Sequence, residues 1–315
     1  PQTLQQRVGQ LESKLQLVTI DPDGSFVVNG NLRVYSGASG GTVDGTGNLI
    51  LGPALAATGV TGSDNLVIGD GHTVTSYGAL VSGQGHTASA PHASAVAGVG
   101  NTASGDFSVV FGGEANRATR DFASVVGGTA NEARGDRASI TGGTDGLATG
   151  AYSSVTAGTF GRALGENACI AGGDQNVAVG ELSTVSGGEQ NVAEGHGSSV
   201  LGGALNRALG IRSTVVGGSS NEVTAQAIHG TVLGGFQNTC TGDQALVIGG
   251  VENVAAGQWS AVHGGFDNAA GGRAATVTGG TGNTADGEYA SNSGGLNRWV
   301  TQTRGWVAGS LFEWN

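Results

Sequence analysis

The chain has 315 residues and a formal net charge of −11, and 62 of its residues are glycine while only 4 are proline. Glycine at this level without a Gly-X-Y period excludes collagen, and a charged fraction of 12% is too low for a charged disordered chain. The acidic balance argues against nucleic acid and anionic membranes as partners, because both are themselves negatively charged. No apolar run reaches the length of a membrane-spanning helix, so no membrane insertion is expected.

A heptad pattern opens the chain. Apolar residues at positions 4, 8, 11, 15 and 18 are separated alternately by four and three residues, as in the seam of a coiled coil. We interpret residues 1–18 as the end of a longer parallel coiled-coil stalk, because two heptads alone are too short to be stable in water. A single amphipathic helix docked on a core is the alternative interpretation.

Residues 19–43 are predicted to form a short β connector between the stalk and the remainder of the chain. The segment 21–24 reads Asp-Pro-Asp-Gly, which is typical of a turn and ends the helix. The pair Asn29-Gly30 lies between the apolar segments 25–28 and 31–35, which predicts a hairpin around that pair.

The remaining chain is organised by a repeat of 15 residues. Thirteen copies run from Ala97 to Gly287, and one step is 17 residues long because of a two-residue insertion within Thr224–Gly230. Each copy reads Val-x-Gly-Gly, then Asn-x-Ala-x-Gly, then a variable turn. A fixed period this short predicts one rung of a parallel β-solenoid per copy, and the period-two alternation predicts two short strands per rung. With the less regular rungs before Ala97, the predicted β-roll head covers 44–295.

Four slots of the repeat give four columns along the predicted solenoid axis. The valine column is formed by the residue two positions before the first glycine of each copy. The asparagine, alanine and turn columns are formed by the residues four, six and ten positions after that glycine, respectively. Stacked asparagines are expected to hydrogen-bond along the axis, with His72 and His86 as members of the same column. Cys240 occupies an alanine slot and is expected to be a small buried side chain.

A rung lined by glycine, alanine and valine leaves little interior, so the valine column is expected to form an apolar stripe. We expect that stripe to be buried against identical chains, and this favours a parallel homo-oligomer, most simply a threefold one.

The repeats also resemble a known family. Ser124-Val125-Val126-Gly127-Gly128 followed by Asn131-x-Ala133-x-Gly135, with its copies, is similar to the head repeats of trimeric autotransporter adhesins, the YadA-like head. The resemblance covers roughly residues 44–310 and implies a left-handed parallel β-roll, a homotrimer and adhesion at a bacterial cell surface. Here the coiled coil precedes the head, as in phage tail fibres and the mosaic adhesive trimers of predatory bacteria. Residues 296–315 are then an aromatic-rich C-terminal cap or tip.

Aromatic residues are scarce, and two groups of them are the candidate ligand-binding residues. The turn column holds five, which either pack on one another or contact a sugar or protein partner. Three of the four tryptophans lie near the end of the chain, where they either close the end of the trimer or contact the target. The candidates are Phe107, Phe122, Tyr152, Trp259 and Tyr289 in the turn column, and Trp299, Trp306, Phe312 and Trp314 near the end.

No residues with the spacing of a catalytic, cofactor or metal site are recognised in the sequence. The acidic residues that precede the turn column are expected to be solvated, with a calcium ladder as the alternative. We therefore expect a non-enzymatic trimeric fibre tip, extracellular or on a bacterial surface, that recognises a surface glycan or protein of a target cell. A structural spacer or coat rod, or a phage-type tail fibre without its own ligand, is the alternative.

Overall fold

The computed structural model describes most of the chain as a rod of stacked rungs. The described ranges are 3–14, 18–22, 24–28, 31–35, 43–53 and 59–309. Within them the chain has a helix at Leu4–Lys14 and then, from Leu49 onward, a parallel β-solenoid of about 17 turns. At about 4.8 Å per rung the rod is about 80 Å long. The mainly β fold and the 15-residue rung are confirmed.

The connector differs from the prediction. Strand Phe26–Val28 pairs antiparallel with Val18–Ile20, and residues 31–35 form no strand. The hairpin closes one turn earlier than predicted, where Asp21 N–H donates to the Ser25 carbonyl at 2.9 Å. The predicted turn pair Asn29-Gly30 lies outside the described residues.

The valine column lies on the first long sheet, in which each strand pairs in parallel with the equivalent strand of the next rung. Its strands are Leu49–Leu51, Leu66–Asp70, Leu80–Gln84, Ser94–Val99, Val109–Val110, Ser124–Val125, Ser139–Ile140, Ser154–Val155, Cys169–Ile170, Thr184–Val185, Ser199–Val200, Thr214–Val215, Thr231–Val232, Leu246–Val247, Ala261–Val262, Thr276–Val277, Ser291–Asn292 and Trp306–Val307. The step from Val215 to Val232 confirms the predicted two-residue insertion, because these residues are direct partners.

The alanine column lies on the second long sheet, which is parallel in the same sense. Its strands are Thr73–Val74, Thr87–Ala88, Thr102–Ala103, Arg117–Ala118, Glu132–Ala133, Leu147–Ala148, Arg162–Ala163, Val177–Ala178, Val192–Ala193, Arg207–Ala208, Glu222–Val223, Thr239–Cys240, Val254–Ala255, Ala269–Ala270, Thr284–Ala285 and Trp299–Val300. A third line of single-residue parallel bridges runs from Val99 through Glu114 and Thr129 to Leu296. The rung therefore has a third side that the two-strand prediction lacked.

The core lies inside the single chain. Side chains of the valine and alanine columns, such as Val125 and Ala133, are fully buried against each other along one continuous cluster. The expected apolar stripe on the outside of the rung is therefore wrong, because the third side of the rung closes the interior. The physical reason given for an oligomer does not hold, and the threefold assembly stays a prediction from the resemblance.

Candidate functional site

The turn column has the same unusual backbone in every rung. Phe107, Phe122, Tyr152, Trp259 and Tyr289 have φ values from +56° to +60°, in the left-handed region that costs a bulky residue about 1–2 kcal/mol. This conformation directs each backbone N–H along the rod axis. Phe122 N–H, for example, donates to a carbonyl of the preceding rung, that of Asp106, at 2.8 Å. The bond offsets part of the strain and keeps successive side chains in register.

The first group of turn-column side chains forms a stack that the sequence only partly indicated. The rings of Phe107 and Phe122 lie 5.2 Å apart and only 3° from parallel, and His92 stacks on Phe107 at 4.7 Å. Tyr77 meets His92 edge-on at 5.1 Å. Phe107 and Phe122 are 52% and 50% exposed, so the stack lies at the surface with its ring edges outward and its faces against one another.

An arginine extends the stack to Tyr152. The guanidinium carbon of Arg137 lies 5.0 Å from the Phe122 ring centroid and 5.4 Å from that of Tyr152, and the guanidinium donates to the Tyr152 hydroxyl at 3.1 Å. Cation–π contacts of this kind are worth about 0.5–1 kcal/mol at exposed sites. We call the six side chains Tyr77, His92, Phe107, Phe122, Arg137 and Tyr152 the ring stack.

A shorter arrangement of the same kind joins Trp259 to Tyr289. The rung between them has Ala274 in the turn column, and Arg273 fills the space from the preceding position. Its guanidinium carbon lies 4.5 Å from the Trp259 centroid and 5.8 Å from that of Tyr289. The guanidinium also donates to Glu288 at 2.9 Å, which fixes its position.

Two of the tryptophans near the end of the chain, Trp299 and Trp306, lie within the described residues. Trp299 and Trp306 lie on different sheets in the last described rung and are 75% and 69% exposed. The inward positions of that rung are held by Val300, which is buried, and Val307, which packs on the core. The Trp306 indole N–H donates to the Ser293 hydroxyl at 3.0 Å, which holds its ring beside the preceding rung. Phe312 and Trp314 lie outside the described residues.

The asparagine column is an internal ladder, as predicted. Asn131 N–H donates to Asn116 Oδ1 at 3.0 Å, and its side-chain amide donates to the carbonyls of Gly127 at 3.0 Å and Gly143 at 2.9 Å. Each asparagine thus ties its own rung to both neighbours. His72 and His86 belong to this ladder, which confirms their predicted place.

Two surface depressions are the candidate small-molecule sites of the described residues. The first has a volume of about 460 Å³ and is lined by Phe160, Arg162, Gln175 and Val177. The second, of about 330 Å³, is lined by Arg120, Arg134, Gly135, Asp136, Thr149 and Ala151. The second lining contains one hydroxyl, that of Thr149, and one carboxylate, that of Asp136, and neither lining contains two carboxylates.

Other predicted positions have ordinary surroundings. Asp121 and Asp136, in the acidic row, are exposed. Cys240 is fully buried in its alanine slot, as predicted, and burial raises the pKa of its thiol to about 11. The thiol is therefore protonated at neutral pH and a weak nucleophile.

Comparisons with protein-family models and with curated proteins found no match to this chain. The similarity to adhesin heads therefore rests on the repeat pattern described above. No helix in the described ranges is long and apolar enough to cross a bilayer.

Only part of the ring stack is predictable from the sequence. Arg137 occupies the turn slot, but a search for aromatic residues in that slot does not select it. Tyr77 and His92 lie 30 and 15 residues before Phe107, which places them in the turn slot, but they precede the thirteen regular copies from which the column is defined. Arg273 is one position away from the slot, and only the geometry of its long side chain places it between two rings.

Proposed function

We propose that this chain is part of a non-enzymatic fibre that binds the surface of a target cell through the ring stack. The fibre is a homotrimer of left-handed β-rolls, with the helix at Leu4–Lys14 continuing into a parallel coiled-coil stalk. It is extracellular, on a bacterial surface, and recognises a glycan or a protein of the target's envelope. The trimer, the handedness, the stalk and the location follow from the resemblance to adhesin heads.

The observation that carries the proposal is the composition of the turn column. The same left-handed turn occurs in consecutive later rungs with Asn167, Leu182, Gly197 and Arg212, none of them aromatic. The fold therefore does not require rings at this position. Six planar side chains in consecutive rungs, half-exposed and in register, form an exposed apolar surface that folding alone does not explain.

The orientation of the rings bears on what the stack can bind. Sugars contact aromatic rings through the ring face, which carries the negative end of the quadrupole. Within the stack the faces of Phe107 and Phe122 are turned to each other, whereas their edges are exposed. A protein surface that packs against a ridge of ring edges fits this arrangement better than a stacked sugar. Trp299 and Trp306 are the alternative positions for glycan contact.

A second exposed row provides contact surface for neighbouring copies of the chain. Its members directly follow the buried valine column and are between 37% and 54% exposed. They are Phe111, Val126, Leu201, Val216, Leu233 and Ile248. Thr141, Thr156, Ala171 and Ser186 interrupt the row between Val126 and Leu201. The two apolar stretches that remain along one side of the rod are the kind of surface that a parallel trimer would bury.

The test is binding of the labelled chain to bacterial cells, animal cells and a glycan array, beside the double variant Trp299→Ser/Trp306→Ser. Sedimentation velocity first checks that both proteins are trimers. We expect binding by both, because the ring stack is intact in the variant. Loss of binding in the variant alone would move the site to the end of the rod.

A structural spacer is the second candidate function. The uniform rungs between Asn176 and Asn221 favour it, because every column there repeats without an exposed aromatic group. Trimers that bind none of these surfaces would support the spacer.

A further inference from the structure

Two histidines interrupt the asparagine ladder in consecutive rungs. His72 and His86 are 2% and 0% exposed, and their rings stack at 5.3 Å. They lie between Asn65 and Asn101, where the less regular first rungs meet the regular array.

Each histidine takes over the acceptor role of an asparagine in the ladder. His72 Nδ1 accepts from the N–H of His86 at 3.1 Å, and His86 Nδ1 accepts from the N–H of Asn101 at 3.1 Å. His72 Nε2 lies 3.1 Å from the Ile68 carbonyl, so this nitrogen carries the proton. The ladder thus holds both rings in the neutral form with Nδ1 free of hydrogen.

Protonation is incompatible with this arrangement. An imidazolium has N–H groups on both nitrogens, so Nδ1 would face a backbone N–H that is also a donor. An asparagine amide in the same slot has no group that titrates near neutral pH. The two histidine rungs are therefore the members of the ladder that acid can break.

The surroundings offer nothing to stabilise a positive charge. The six strands around the rings are Leu66–Asp70, Thr73–Val74, Leu80–Gln84, Thr87–Ala88, Ser94–Val99 and Thr102–Ala103. Asp70 is the charged residue among them, and it is exposed, with its carboxylate accepting from the Gly71 N–H at 2.8 Å. Asp64 and His92, in the adjoining turns, are exposed as well. Each buried ring faces only the other ring as an ionisable group.

We propose that the stacked rings of His72 and His86 form an acid-sensitive joint, at which protonation of His86 opens the rungs from 59 to 100 while the rungs from Asn101 onward stay folded. The same rungs carry Tyr77 and His92, so opening would also remove two members of the ring stack. The joint itself does not depend on what the ring stack binds.

The direction of the pH dependence follows from the burial. Burial and the neighbouring His72 lower the pKa of His86, and the Ser82 carbonyl, whose geometry falls short of a hydrogen bond, only partly opposes this. The folded chain then binds fewer protons than the unfolded chain below a pH of about 6.5, the ordinary pKa of histidine. Stability in these rungs is unaffected above that pH and decreases as the pH falls below it.

Hydrogen exchange measured by mass spectrometry tests the joint. The 315-residue chain and the variant His72→Asn/His86→Asn are compared at pH 7.5 and pH 5.0. At each pH the exchange rate of the parent chain is divided by that of the variant, so that the pH dependence of the exchange chemistry itself cancels. From pH 7.5 to 5.0 we expect the ratio for amides 59–100 to rise severalfold, because the folded chain binds fewer protons than the unfolded chain in this range. Amides 112–292 should keep a ratio near one.

The control is His92→Asn, which changes an exposed histidine of the same region. It should keep the acid sensitivity of the parent chain. The proposal would be overturned if the ratio of exchange rates for amides 59–100 did not change with pH. It would also be overturned if His92→Asn abolished the acid sensitivity of those amides. If the double variant did not fold, His86→Asn alone should remove part of the acid sensitivity, and an unchanged response there would equally overturn it.

Discussion

The asparagine column and the turn column run along this rod at the same spacing, and they differ in the range of residue types that they contain. The asparagine column is fully buried and hydrogen-bonded in both directions, and from rung to rung it is nearly invariant. The turn column is half-exposed and holds aromatic, charged, amide, aliphatic and glycine residues on one backbone conformation. The inner column therefore specifies the fold, and the outer column is free to vary without changing the backbone.

The inner column departs from its rule at two rungs, and the departure is compensated. Gly146 and Gly161 stand where asparagine is expected, and the valine column has its two isoleucines, Ile140 and Ile170, beside them. A Cβ at Gly161 would lie 3.5 Å from Ile170 Cγ2. The larger apolar side chains occupy space that an asparagine fills elsewhere, so packing replaces hydrogen bonding in this part of the rod.

The largest effect is expected from breaking the inner ladder. Asn191→Ala removes the acceptor of the Asn206 N–H at 3.0 Å and the donor to the carbonyls of Gly187 and Gly203, both at 2.9 Å. The buried Asn206 N–H loses its acceptor and the Gly187 carbonyl loses its donor, at about 1–3 kcal/mol each, whereas the Gly203 carbonyl still accepts from the Glu189 N–H. We therefore expect a loss of about 4 kcal/mol in the free energy of unfolding. Urea unfolding at matched protein concentration measures it. Glu189→Ala, an exposed change in the same rung, should have almost no effect.

The compensated rungs sharpen the comparison. Gly161→Asn should overpack the interior against Val155 and Ile170 and cost about 2 kcal/mol. Ile170→Val removes the Cδ1 atom, which would lie 3.8 Å from a Cβ at residue 161, so the double variant should cost about 0.5 kcal/mol less than the sum of the two changes. A double-mutant cycle in urea gives this coupling energy. Strictly additive effects of the two changes would mean that the isoleucine does not occupy the asparagine's space.

In the turn column, a glycine variant should be more stable than an alanine variant, which is the reverse of the usual order. At Phe122, with φ at +58°, Phe122→Gly should be more stable than Phe122→Ala by about 1 kcal/mol, because only alanine suffers steric strain in the left-handed region. Phe111 is similarly exposed but has a negative φ, so Phe111→Ala should be more stable than Phe111→Gly. Thermal unfolding of the four variants measures both differences. The same order at both sites would contradict the assigned turn.

The smallest effect concerns buried serines next to the turn. The hydroxyl of Ser183 is buried without a partner, and alanine fills the equivalent slot at Ala123 and Ala138. Ser183→Ala should therefore raise the free energy of unfolding by about 0.5–1 kcal/mol. Ser108→Ala is the matched control and should lower it, because the Ser108 hydroxyl accepts from the Gly105 N–H at 3.2 Å. Destabilisation by Ser183→Ala would imply an unseen partner for its hydroxyl.

The columns also explain how far the fold could be predicted from the sequence. Val125, Asn131 and Ala133 recur at a fixed spacing, so their stacking follows from the period alone, whereas the burial of the valine column inside a single chain does not. The third side of the rung did not follow, since single bridge residues such as Thr129 have no characteristic side chain. The partner of strand Phe26–Val28 was wrong because two competing turns, at 21–24 and 29–30, are both compatible with the local sequence.

The candidate site could be predicted only where it obeyed the period. Phe107 and Phe122 share a slot, and their contact was one of two expectations. The participation of Arg137 and Arg273 depends on long flexible side chains that reach neighbouring rings, which spacing does not reveal. The spacing also does not reveal whether an exposed ring turns its face or its edge to the solvent.

One measurement tests most directly whether the inner column holds the rod and the outer column binds. Cell binding and the free energy of unfolding are compared for Phe107→Ser/Phe122→Ser and for Phe160→Ser. Phe160 is a matched control because it is 49% exposed and has a φ of +53° but lies outside the ring stack. We predict that the double variant loses binding at least tenfold while its free energy of unfolding changes by no more than about 1.5 kcal/mol, and that Phe160→Ser binds normally. Undiminished binding by the double variant, with intact rods, would contradict the account.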